Sequence, residues 1–260
     1  IFALTGGILT AIGVAFWIAI GVFDVSFGSK TEVPSVGILM MENLGKEDEE
    51  YWSIGMTADL ITKVTGAGLI RVASLDDILK LDKDLSVEQK AKKLRVKYIL
   101  THQFKIKDDG FDLWCKLENI ETGVALFSNK ISEPMDMATQ MVGKLANDII
   151  TSLKVKTKQD IMKAPTSIVD AYEYYLKAKH KYRNHKNIED IEITRGLLQK
   201  AIEIDNNLLI AKNLMAKTYF DTNSKDKALQ IFKDNLKHAE ILRNKIDIAD
   251  ALLGIGGVYW

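Results

Sequence analysis

The sequence reads as α/β plus all-α. It divides into an amino-terminal transmembrane helix at residues 1–23, a mixed-sheet α/β domain at 35–155 and an α-solenoid of helical repeats at 168–260, with linkers at 24–34 and 156–167. Residues 1–23 hold no charged side chain and no proline, and about 20 apolar residues in a helix span the hydrocarbon core of a bilayer. Downstream, short apolar runs alternate with segments of helical spacing. From residue 169 onward the spacing is helical, and small residues recur where paired helices must touch.

In the first segment, Ala3, Gly7, Ala11, Ala15 and Ala19 recur every four residues. They form a stripe at which a second helix approaches closely, so a homodimer is expected through it. Residues 24–50 then carry only Lys30 and Lys46 against seven acidic side chains, the reverse of the basic excess on cytoplasmic flanks. The expectation is a single-pass protein of the inner (cytoplasmic) membrane whose soluble part is periplasmic or otherwise extracytoplasmic. The chain opens on Ile1 inside the apolar run and closes on Trp260 inside a repeat pattern, so both ends are expected to be cut.

In the α/β part, residues 36–41 suit a buried strand, and Trp52, Met56, Leu60 and Val64 give a helix over 51–64. Gly66 and Gly68 end it before a second short strand at 69–73. Ser74 and Ser86 are placed to cap helices reaching Leu81 and Leu94. Strands at 97–106 and 111–120 flank Asp109-Gly110, a pair suited to a tight hairpin. A third strand follows at 124–131, and Met137, Met141, Leu145 and Ile149 mark the closing helix over 135–153. Pro34, Pro134 and Pro165, the three prolines, punctuate the boundaries.

These segments resemble the amino-terminal domain of TolB over residues 35–153. The likeness is carried by Val36-Gly37-Ile38-Leu39 with Glu42-Asn43-Leu44, Glu50-Tyr51-Trp52, Gly55-Met56-Thr57, Asp59-Leu60-Ile61, Leu69-Ile70-Arg71-Val72-Ala73, Val96-Lys97-Tyr98-Ile99-Leu100 and Ile120-Glu121-Thr122-Gly123. The chain departs from the pattern at Ile54-Gly55, where the family has Asp-Gly, at Ala58, where it has Glu, and near Thr101 and His102, where it has Gly-Ser.

After Pro165, Ala201 followed by Asp205-Asn206 closes one helix pair. Ala216, Tyr219, Ala228 and Phe232 occupy the packing positions of a second, and Gly256 and Tyr259 open a third. This resembles the tetratricopeptide (TPR) repeat, in which such residues are core, not ligands. Stacked repeats make a concave groove for a protein or peptide, with Lys177, Lys181 and Arg183 as candidate contacts for an acidic partner.

Lysine plus arginine balances aspartate plus glutamate at 35 each, which removes the global field that nucleic-acid binding uses. The lone Cys115 excludes an internal disulfide framework. His102, His180, His185 and His238 lack partners at ligand spacing, so no metal is expected. Gly66-Ala67-Gly68 precedes a strand, the wrong context for phosphate binding, and no catalytic motif is present. No cofactor and no catalysis are expected within these residues. The combination of parts resembles bacterial signalling proteins of the adenylate/guanylate cyclase type. The expected function is the non-catalytic sensory and protein-binding region of a membrane signalling protein, coupled to an upstream cytoplasmic effector: a nucleotide cyclase, a kinase or a winged-helix regulator. The alternative is a membrane-anchored envelope scaffold that assembles partners through its repeat groove.

Overall fold

The computed structural model describes residues 33–108, 110–157 and 162–260. The expected membrane helix at 1–23 and its small-residue stripe lie outside these residues. Among the described residues, no helix is long and apolar enough to cross a membrane, which corrects the expected fold class in its first part. The longest helices have 17 residues, and at 1.5 Å per residue they fall short of the roughly 30 Å hydrocarbon core. Each also carries several charged side chains.

The first half is built on a six-stranded mixed sheet of order β3-β1-β4-β5-β6, with β2 also on β4. Strand β1 (Ser35–Ile38) runs parallel to both β3 (Arg71–Val72) and β4 (Tyr98–Lys107). Strand β2 (Glu42–Asn43) continues alongside β4 after a break at residues 39–41. Strands β5 (Gly110–Asn119) and β6 (Val124–Pro134) extend the sheet as antiparallel hairpins. Gly110 pairs with Lys107, so Gly110 belongs to the strand and not to the turn where the Asp109-Gly110 pair places it; residue 109 is not described.

Alternation along the strands divides the core. Leu100, Phe104, Leu113 and Leu117, all fully buried, share a cluster with α1 (Glu50–Gly66) and α4 (Ala138–Ser152). Ile99 points the other way, to Ile78 of α2 (Leu75–Leu79) and to Ala91 and Leu94 of α3 (Val87–Leu94). Both short helices begin as the sequence indicates: Ser74 accepts from the Asp77 amide at 3.1 Å, and Ser86 and Gln89 form a reciprocal capping box. Helix α2 ends at Leu79, before the expected Leu81, and α4 is preceded by a 3₁₀ turn at Met135–Met137.

The second half is a row of helices: α5 (Val169–Arg183), α6 (Ile188–Ile204), α7 (Leu209–Asp221), α8 (Lys225–Ile241) and α9 (Lys245–Tyr259). Neighbours pack as hairpins through fully buried alanines, among them Ala178, Ala201, Ala216, Ala228 and Ala239; a methyl group at these crossings lets the backbones approach. The main core cluster is continuous from the sheet through α1 and α5 to Met215 of α7. Residues 34–260 therefore form one packed unit.

Candidate functional site

The repeat residues singled out above fall at unequal places. Ala201, Ala216, Ala228 and Phe232 are buried, and Tyr219 carries the Arg195 guanidinium 4.0 Å over its ring. Gly256 faces open space, and Tyr259 is 68% exposed. The glycine that meets Phe232 is Gly254, where a Cβ would lie 2.3 Å from the ring.

The basic face of α5 meets acidic groups of its own chain. Arg183 pairs with Asp76 at 2.7 Å, Lys181 with Asp190 at 2.6 Å and Lys177 with Glu173 at 2.6 Å. Asp59 of α1 accepts from the Tyr172 hydroxyl at 2.5 Å and from the Lys179 ammonium at 2.6 Å. Burial pushes Tyr172 well above its ordinary range, and Asp59 reinforces the shift. Burial alone draws Lys179 down, but Asp59 and Tyr175 outweigh it and hold the ammonium above its usual range. Trp52 packs edge-on to Tyr172 at 5.9 Å. Gly55 lets α5 close in, since a Cβ there would come within 2.4 Å of Leu176 Cδ2. Helix α5 is thus docked on α1. Charge periodicity along α5 marks a basic face without revealing that its partners lie up to 120 residues away. The one local signal is Gly55, a glycine inside a helix that propensity does not explain.

A groove of about 680 Å³ opens on the opposite side of the sheet. There the outward residues of β4, β5 and β6, among them Gln103, Trp114 and Lys130, face the edge of α2 and α3. Ile78, Leu81 and Val87 form an apolar wall, and Lys83, Lys90, Lys116 and Lys130 outnumber Glu42 and Asp82 at the margin. Lys130 lies 5.0 Å over the Trp114 ring and 3.3 Å from Asp112, so the indole is held beneath a cation. The volume is in the range of ligand pockets, roughly 300 to 1,000 Å³.

The two reactive residue types at the groove are inert in this setting. His102, 3% exposed, fills the break between β1 and β2. Its Nε2–H donates to the Leu39 carbonyl at 2.7 Å and Nδ1 has no partner. Burial pushes it down to about 4, with the Leu39 bond opposing, so the ring is neutral and structural. Burial pushes the Cys115 thiol up to about 11, which removes the thiolate that reactivity needs. Among the described residues, no group of three or more His, Cys, Asp or Glu side chains is placed to hold a metal. The arrangement is one of apolar contact, rim charge and free strand face.

Solved structures similar over part of the chain include the following three. TolB from Acinetobacter baumannii has 16% identity and a TM-score of 0.37, covering 47% of this chain and 28% of that one. The LpoB C-terminal domain from Salmonella enterica has 15% identity and a TM-score of 0.31, covering 39% and 83%. A lipoprotein from Neisseria meningitidis has 12% identity and a TM-score of 0.34, covering 46% and 96%. The chain thus spans under a third of the TolB chain it matches. Neither a family model nor a curated protein matches the sequence.

Proposed function

We propose that residues 34–260 form a protein-binding module of the bacterial cell envelope, in which a TPR array is held against a TolB-like α/β domain and the sheet groove receives a peptide segment of a partner protein. The observation that supports this reading most directly is the groove itself. An apolar wall faces a bare three-strand surface with a tryptophan at its centre, and lysines dominate the rim. That chemistry suits an extended segment with aliphatic side chains inward and acidic side chains at its margins. The docking of α1 on α5 supports placing the peptide here and not on the basic face of α5, part of which Asp59 and Asp76 of the α/β domain already occupy. The sensory part of the reading is that an effector attached to the module, a nucleotide cyclase first among those the sequence resemblance implies, responds to occupancy of the groove.

Panning a random peptide library against the purified chain tests it. Selected peptides are expected to combine aliphatic and acidic residues, and Trp114→Ala is expected to weaken them by about tenfold or more, the loss of one aromatic anchor. Lys177→Ala leaves them unchanged. Peptides that bind Trp114→Ala and Lys130→Glu as well as the parent would overturn the assignment.

A further inference from the structure

A second, smaller cavity lies where α1, α4, the segment ahead of α5, α7 and the start of α9 converge, with a volume of about 110 Å³. Val142, Pro165, Ile210 and Ile246 give it apolar walls, and Asp247 and Lys163 bring opposite charges to it. Asp247 sits in the first turn of α9, and Asn244 caps that turn in the usual way. Asn244 Oδ1 accepts from the amides of Ile246 at 3.2 Å and Asp247 at 3.4 Å, and its Nδ2 donates to Asp247 Oδ2. This accounts for one carboxylate oxygen. The other, Oδ1, is buried without a hydrogen-bond partner, in a residue 5% exposed. A carboxylate oxygen removed from water with no donor is strongly unfavourable, so capping explains the position of Asp247 and leaves half of its carboxylate unexplained. Burial raises this carboxyl to about 6, with Asp250 acting in the same direction and Lys163 and Lys63 opposing.

The charges around the cavity select its occupant. A simple amine would satisfy Oδ1 but meet the two lysines, and a simple carboxylate would meet Asp247. Asp59, also on the wall, is already taken by Tyr172 and Lys179. A small molecule bearing both charges matches the pair, and the apolar walls match a short hydrocarbon side chain. We propose that this cavity binds a free aliphatic α-amino acid, its ammonium donating to Asp247 Oδ1, its carboxylate on the Lys163 ammonium, and its side chain against Val142, Ile210 and Ile246. The walls come from both the α/β domain and the repeats, so the ligand fastens the two together. This site is separate from the sheet groove and stands or falls without it.

Calorimetric titration of the full chain with valine and leucine tests the assignment, with isobutylamine and isovalerate as single-charge controls. The amino acids are expected to bind and the controls to bind at least about tenfold more weakly. Asp247→Asn, a near-isosteric change, and Lys163→Ala at the cavity mouth should each weaken the amino acid by about tenfold or more, with far-ultraviolet dichroism unchanged. No heat with any aliphatic amino acid, equal binding of the amine alone, or binding retained in both variants would each overturn the proposal.

Discussion

Tyr172 and Asp59 are joined by a 2.5 Å hydrogen bond between α5 and α1, and Lys179 reaches the second oxygen of the same carboxylate at 2.6 Å. One side chain of the α/β domain therefore satisfies two groups of α5, in a setting where the Asp59 and Lys179 side chains are 15% and 23% exposed. Asp59→Ala strands a cation and a hydroxyl together, and breaking such a pair from one side costs about 3 kcal/mol. Tyr172→Phe keeps the ring packing and loses one hydrogen bond, about 1 kcal/mol. Urea unfolding followed in parallel by tryptophan fluorescence and dichroism measures both, and equal effects of the two variants would show that the Lys179 contact contributes nothing.

Gly55 and Leu176 set the distance between α1 and α5. A methyl at Gly55 would meet Leu176 Cδ2 at 2.4 Å, Cγ at 3.1 Å and Cβ at 3.3 Å; the terminal carbon can rotate away, but the stem cannot. Gly55→Ala is expected to destabilise by about 2 kcal/mol through overpacking, despite the better helix propensity of alanine. Leu176→Ala leaves a cavity on its own, yet the double variant should recover part of the loss, a coupling that a double-mutant cycle detects. Additive effects would place the strain elsewhere.

Element order was legible in the sequence because period, capping serines and glycine breaks act within a few residues. The caps at Ser74 and Ser86 stand where those local signals put them, whereas Gly256 and Tyr259, expected to open a third helix pair, fall at the end of α9, which begins at Lys245. The docking of the two halves was not legible, because Asp59 lies 113 and 120 residues from Tyr172 and Lys179, and Gly55 marks a close approach without indicating what approaches. Asp247 was equally hidden, since a carboxylate in a first helical turn is what capping preference supplies anywhere.

Glycine in α9 shows the same limit at the scale of one turn. Gly254 and Gly256 differ by two positions, hence by slightly more than a half-turn, and only the hairpin geometry decides which one faces α8. Gly254→Ala drives a methyl into the Phe232 ring, where three ring atoms lie within 2.6 Å, and is expected to loosen α9 by about 2 kcal/mol. Gly256→Ala meets nothing within 4 Å and should stabilise by about 0.5 to 1 kcal/mol through helix propensity. Hydrogen exchange of the α9 amides separates the two: faster in the first, unchanged or slower in the second.

His102 and Asp247 give stability opposite pH slopes over nearly the same range. The His102 ring falls from its ordinary 6.5 to about 4 in the fold, so the unfolded chain binds the extra proton. Its contribution is complete above the higher value and is lost as pH falls toward the lower. Asp247 rises from 3.8 to about 6, so here the folded chain binds the extra proton, and its contribution is present at low pH and lost as pH climbs through 6. Each shift of about two units corresponds to roughly 3 kcal/mol, and the two largely offset each other. Asp247→Asn removes one slope, so the variant should match the parent near pH 4 and exceed it by up to about 3 kcal/mol near pH 8. His102→Gln removes the other, and its deficit relative to the parent should shrink as pH falls from about 7 to 4. Urea denaturation at a series of pH values reads both differences directly, and a pH-independent difference for Asp247→Asn would mean that its carboxyl titrates normally and that Oδ1 is hydrated.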